Sequence, residues 1–174
     1  MIRTSAIPVF TGTLIEAHQR TLELRQPLLV PTAIFADDRG WSLMNQMQGI
    51  LSATGQINVS LQYPGVVKAW HRHALQTDFW LCVRGDLKVG VHRPKGLRSN
   101  DVELDECAWS AVIGEHRPAV VLIPPGLWHG AATVGHEPAS LLYYVTHAYN
   151  PERPDEERRP HNEPAWFEWG VVFR

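Results

Sequence analysis

Short strand-like runs, each cut off by glycine or proline after a few residues, constrain this chain more than any other feature. Gln56 to Gln62 (QINVSLQ) alternates polar and apolar residues, as a half-buried strand does. Val66 to His71, Asp78 to Val83, Leu87 to His92 and Trp109 to Ile113 have similar character. Ala119 to Ile123 is wholly apolar, the pattern of a strand buried on both faces, and Pro124-Pro125-Gly126 stops it. Trp128 to Val134 and Ser140 to Tyr149 complete the series. Turn chemistry separates the runs at 36–40, 63–65, 84–86 and 114–118, and 93–107 reads as polar loop. Helix signals are weak; Thr13 to Arg25 suits either a short helix or an arm strand. The pattern predicts an all-β sandwich or closed barrel. With 174 residues, 44% of them hydrophobic, the chain is expected to form one domain over 1–174. An N-terminal arm would cover about 1–34 and a charged, proline-rich surface connection about 151–164. Trp166 to Phe173 would then dock back on the domain.

Charge excludes some partners. The formal net charge is -2, and no basic stretch suits nucleic acid or a membrane surface. No apolar run reaches spanning length, and Pro8, Thr11 and Gly12 interrupt the N-terminal apolar stretch, which does not read as a signal peptide. Cys82 and Cys107 lack pair spacing, so free thiols in a reducing, cytoplasmic setting are expected. Seven tryptophans point to a lined cavity.

One stretch carries metal-binding chemistry. His71 and His73 are two apart, so on a strand they share a face. Asp78 follows closely, and His129 comes after the Pro124–Gly126 turn. Imidazoles with one carboxylate suit zinc, iron, manganese or nickel. From Gly65 the spacing runs five residues to His71, one to His73, four to Asp78 and six to Gly85. This resembles the first motif of the cupin superfamily, with Asp78 where glutamate is usual. Pro124, Gly126 and His129 resemble the second. Pro118 and Thr133 depart from it, standing where a glycine and an asparagine are usual. The resemblance implies a cupin-type double-stranded β-helix, or jelly roll.

A more specific resemblance spans about Phe35 to Trp169. Phe35-Ala36-Asp37-Asp38-Arg39-Gly40, Gln56-Ile57-Asn58-Val59-Ser60, the segment Gly65 to His71 and the segment Ile123 to Gly130 occur in order. Leu142-Tyr143, Tyr149-Asn150-Pro151 and Glu168-Trp169 follow. Together they resemble dTDP-4-dehydrorhamnose 3,5-epimerases, cupin-fold enzymes that usually need no metal. The resemblance implies His71 as base and Tyr149 as acid, with Arg39, Gln56, Asn58 and Lys68 binding substrate. It also implies a homodimer with exchanged N-terminal strands, for which residues 20–34 are the candidate segment. Lys68 replaces the family arginine, keeping its charge but losing its planar fork. Because Lys68 lies three residues before His71, a bulge or bend is needed for both to reach one pocket.

The departures form a pattern. Asp78 replaces the family lysine and His73 the common glutamine. The aspartate partner implied for the base, beyond Glu168-Trp169, has no counterpart in the residues to Arg174. A carboxylate repels an enolate, whereas a divalent cation held by His71, His73, Asp78 and His129 would supply the missing electrophile. The expectation is therefore a sugar-nucleotide epimerase or isomerase acting beside a keto group, assisted by a divalent transition metal and without an organic cofactor. Two alternatives stay open: a metal-dependent cupin oxygenase or lyase on another small molecule, and a non-catalytic sugar-nucleotide-binding cupin.

Overall fold

The structure, a computed structural model, describes residues 2–44 and 46–170. The chain opens with β1 (Thr4–Ala6), α1 (Leu14–Leu24) and β2 (Leu28–Pro31), then a small hairpin of β3 (Phe35–Asp37) and β4 (Gly40–Ser42). The long strands follow: β5 (Gln56–Gln62), β6 (Val67–Arg72), β7 (Asp78–Arg84) and β8 (Asp86–Arg93). A second small hairpin, β9 (Arg98–Ser99) and β10 (Val102–Glu103), precedes β11 (Cys107–Gly114), β12 (Ala119–Ile123), β13 (Trp128–Val134) and β14 (Ala139–Val145). Last comes β15 (Glu157–Arg158).

These strands make two facing sheets. One has the order β1-β11-β8-β13-β6-β15, the other β2-β12-β7-β14-β5. Pairing is antiparallel except between β1 and β11. Between the sheets lies a core containing Trp80, Leu87, Val89, Val91, Ile113 and Val121. The other face of β12, Val120 and Leu122, packs with Ala17 of α1, Phe79 and Tyr144. The apolar run 119–123 is thus covered on both sides, as its composition predicts. A third cluster covers the outside of the six-stranded sheet, where Phe167 and Trp169 pack on Trp70 and Trp128. Trp166 joins it as a half-buried neighbour, so the described part of 166–173 docks back as expected; positions 171–173 lie outside the described residues.

The structure settles several local ambiguities. Residues 13–25 hold a helix because Thr13 and Glu16 form a capping box: the Glu16 amide donates to Thr13 Oγ1 (3.2 Å) and the Thr13 amide to Glu16 Oε2 (2.8 Å). β14 stops at Val145 instead of running to Tyr149. The Thr146 amide donates to Thr77 O (3.2 Å) and the Ala148 amide to Thr54 O (2.7 Å), which draws the chain off the sheet. The 93–107 segment carries the β9–β10 hairpin, since Asn100 and Asp101 take left-handed φ and turn the chain back. Residues 151–164 do more than connect: β15 within them pairs with β6. Among the described residues no helix is long and apolar enough to cross a membrane.

One irregularity positions the site. His129 pairs with His71, but Ala131 pairs with Lys68, so β6 carries an extra residue against β13. This bulge turns Lys68 and His71, three residues apart, toward one cavity. Gly130 makes the close approach possible: a Cβ there would lie 2.3 Å from Ala69 Cβ and 2.6 Å from Lys68 O.

Candidate active site

At one end of the sandwich the sheets part around a cavity of about 1450 Å³. β6 and its continuation supply His71 and His73, β7 supplies Asp78, and β13 supplies His129. One donor atom from each of the four lies within 4.8 Å of all the others. The two motifs are also stitched through the main chain, since the Gly126 amide donates to His73 O (2.7 Å). Positive φ at Gly126 (+87°) allows the turn before His129.

Hydrogen bonds orient three of the four groups. His129 Nδ1–H donates to Leu127 O (2.9 Å), leaving Nε2 as the lone-pair nitrogen. That Nε2 is buried without a hydrogen-bond partner, and Asp78 Oδ2 lies 3.5 Å away. His73 Nδ1–H donates to the Asp155 carbonyl, which likewise leaves its Nε2 as an acceptor. Asp78 receives Gln76 Nε2–H on Oδ1 (2.8 Å) and Trp80 Nε1–H on Oδ2 (3.0 Å). His71 has no such tether; its ring lies against His129 (4.2 Å between centroids) and Trp80 (6.0 Å).

The electrostatics follow from this packing. Burial, reinforced by His129 and partly offset by Asp78, pushes His71 well below the ordinary imidazole range, so it is neutral near pH 7. Burial works against the charge of Asp78, but the facing imidazoles of His129, His73 and His71 outweigh it where they carry protons and lower the carboxyl to about 2. A carboxylate facing an imidazole lone pair across 3.5 Å is repulsive unless a cation, either a proton or a metal ion, lies between them. The donor set fits a metal ion: His73 and His129 carry the outer N–H···O=C bonds typical of ligating histidines, and Asp78 supplies the anion. The four residues can therefore coordinate a metal.

The remaining sequence candidates divide. Gln56, Asn58 and Lys68 line the cavity, and so does Tyr149, with 61% of its surface exposed. Gln56 accepts the Tyr149 amide N–H (2.9 Å) and donates to Asn58 Oδ1 (2.8 Å). Lys68 Nζ donates to Ser60 Oγ and Leu61 O, both at 2.9 Å. Arg39 is not among the lining residues. It sits in the β3–β4 turn, its side chain 85% exposed and paired with Asp37. Sequence reasoning missed Gln76 and Trp80, although their i, i+2, i+4 spacing with Asp78 was a readable signal. It gave no site role to Tyr143, although Leu142-Tyr143 is one of the ordered motifs, and it missed His147 and Asp155, which no local pattern marks; the fold brings all three to the cavity.

Fold and site together define a cupin-type jelly roll with a cluster of three histidines and one aspartate that could hold a metal ion. No protein-family model matches the chain. It is 35% identical over 142 residues, 80% of this chain and 91% of the relative, to the spore coat polysaccharide biosynthesis protein SpsL of Bacillus subtilis. It is 43% identical over 104 residues to the probable low-salt glycan biosynthesis epimerase Agl13 of Haloferax volcanii, spanning 59% of this chain and 64% of that one. The dTDP sugar isomerase of Desulfovibrio desulfuricans superposes with a TM-score of 0.68 at 24% identity, covering 82% of this chain and 90% of that one. Solved dTDP-4-dehydrorhamnose 3,5-epimerases share the fold at TM-scores of 0.62 and 0.63. The chain belongs to the family of SpsL.

Proposed function

We propose that the chain is an epimerase or isomerase that moves a proton on the carbon beside the keto group of a nucleotide-diphosphate sugar, in the supply of glycan precursors. The observation that carries this reading is the neutral, half-buried His71 in a cavity that Tyr149 also lines. A C–H beside a carbonyl is acidic because the carbanion is an enolate. Its removal needs a base on one face, a proton donor on the other and positive charge near the enolate oxygen. His71 takes the proton, and the Tyr149 hydroxyl returns one to the opposite face. Gln56 and Asn58 bind the sugar, while Lys68 and Arg39 meet the diphosphate. A divalent transition metal would supply the positive charge when bound. The relatives' names place them in polysaccharide and glycan biosynthesis, which supports a nucleotide-sugar substrate.

A neutral imidazole has one lone pair, so His71 acts either as base or as fourth ligand. The tethers on His73, Asp78 and His129, and their absence on His71, support a three-residue holder with His71 as the base. We also propose a homodimer in which the exposed β3–β4 hairpin carries Arg39 to the partner's cavity. The test is incubation with a nucleotide-diphosphate 4-keto sugar in heavy water. Deuterium should enter beside the keto group, and no exchange by metal-free, zinc-, iron-, manganese- or nickel-loaded protein would sink the reading.

A further inference from the structure

Residues 146–156 leave the end of β14, run along the cavity wall and rejoin the six-stranded sheet at β15. The strap is tied at both ends: the Tyr149 amide to Gln56, and Arg159 to Trp70 through reciprocal main-chain hydrogen bonds of 3.1 Å. Between the ties, Asp155 makes an unusual set of contacts. Its Oδ1 accepts the Ala74 amide (2.8 Å), and its Oδ2 accepts the amides of Leu75 (2.9 Å) and Gln76 (3.3 Å). Three consecutive N–H groups converging on one carboxylate form an anion nest, with charge-assisted hydrogen bonds. The main-chain carbonyl of the same residue accepts His73 Nδ1–H. The captured turn is the segment joining His73 to Asp78, and Gln76 within it also donates its side-chain N–H to Asp78 (2.8 Å).

We propose that Asp155 is a positioning residue that couples strap and site. Its carboxylate latches the strap, which carries Tyr149, onto the 74–76 turn. Its carbonyl fixes the His73 tautomer and turns Nε2 toward the other donors. Seating the strap and aligning His73 with Asp78 are then one event. The latch stands on geometry alone; the consequence for ligands rests on the metal reading above.

The test uses the full chain with Asp155→Ala and Asp155→Asn, the second keeping one side-chain oxygen as acceptor. Hydrogen exchange of metal-free protein should show protection at the Ala74, Leu75 and Gln76 amides falling at least ~10-fold in Asp155→Ala, while the β12 amides keep theirs. Titration with zinc ions alone should show affinity falling ~10–100-fold, the range for loss of an outer partner of a ligating histidine. Asp155→Asn should fall between. Unchanged protection at the three amides overturns the latch, and lost protection with unchanged zinc affinity overturns the coupling. If wild-type protein binds no zinc, the same titration uses iron, manganese or nickel ions; if none binds, the metal reading and the coupling fail together and the exchange measurement alone decides the latch.

Discussion

His129 Nε2 faces Asp78 Oδ2 across 3.5 Å, and both groups are almost wholly buried. The nitrogen has no hydrogen-bond partner because the ring's N–H points the other way, to Leu127 O. Isolated buried charge and an unsatisfied buried acceptor are both costly, and one cation between them removes both costs.

Metal content is the direct check. Wild-type protein purified without an affinity tag should hold a divalent transition metal by elemental analysis. His73→Gln and Asp78→Ala should each lower metal affinity by ~10–100-fold or more, since loss of an outer partner alone has that effect. Stoichiometric metal in both variants would remove these residues from the site.

Acid should destabilise the metal-free protein in a defined window. Burial lowers His71, His18 and His92 below the ordinary value near 6.5, for His92 despite the Glu106 hydrogen bond. The unfolded chain therefore takes up protons first as pH falls. Stability is complete above about pH 6.5 and declines below it. The lowered carboxyl of Asp78 has its ordinary value at 3.8, so its contribution is lost only further down, toward about 2. Urea midpoints should be flat from about pH 8 to about pH 7 and fall toward about pH 5.5. A midpoint that rises on acidification would contradict the burial of neutral imidazoles.

Tyr149→Phe removes a proton donor and keeps the ring. Epimerisation should slow by roughly 10²–10⁴-fold, the usual contribution of a positioned acid. Unaffected turnover would reassign the acid, with Tyr143 the next cavity-lining tyrosine to test. Lys68→Met should weaken nucleotide-diphosphate binding by about tenfold or more in calorimetry, the scale of one charge-assisted hydrogen bond. Equal affinity would mean that the amine serves only Ser60 and Leu61.

The outward face of β5 presents Ile57, Val59 and Leu61, with Val59 72% exposed, and Phe35 and Trp41 of the small hairpin are exposed too. Such a patch on a sheet edge suits burial against a second copy. Light scattering should give a dimer, and Val59→Lys should shift it toward monomer. A monomeric wild-type protein would end the dimer proposal and the assignment of Arg39 to a partner's cavity.

Gly130→Ala tests the bulge. The new Cβ meets main chain and Ala69, neither of which can swing aside, so a loss of ~1–3 kcal/mol is expected in urea melts. Wild-type stability in this variant would mean that β6 and β13 separate easily.

Much of this protein was legible in its residues because the signals are local. Strands 56–62, 119–123 and 128–134 match their patterns end to end, since a period of two and a proline or glycine stop are properties of neighbours in sequence. His-x-His, Asp78 and the Pro-x-Gly before His129 also announced the cluster through spacing. What the sequence could not determine is set by residues far apart in the chain. Only pairing between β6 and β13 creates the bulge that puts Lys68 and His71 on one cavity. Only the path of the strap brings Asp155 to His73 and to the 74–76 amides. Helix or strand at 13–25 was open to pattern alone, and the capping box together with burial of Ala17 against the sheet decided it. Periodicity records which face of an element is buried; what that face meets depends on how the sheets stack, and that is a property of the tertiary structure.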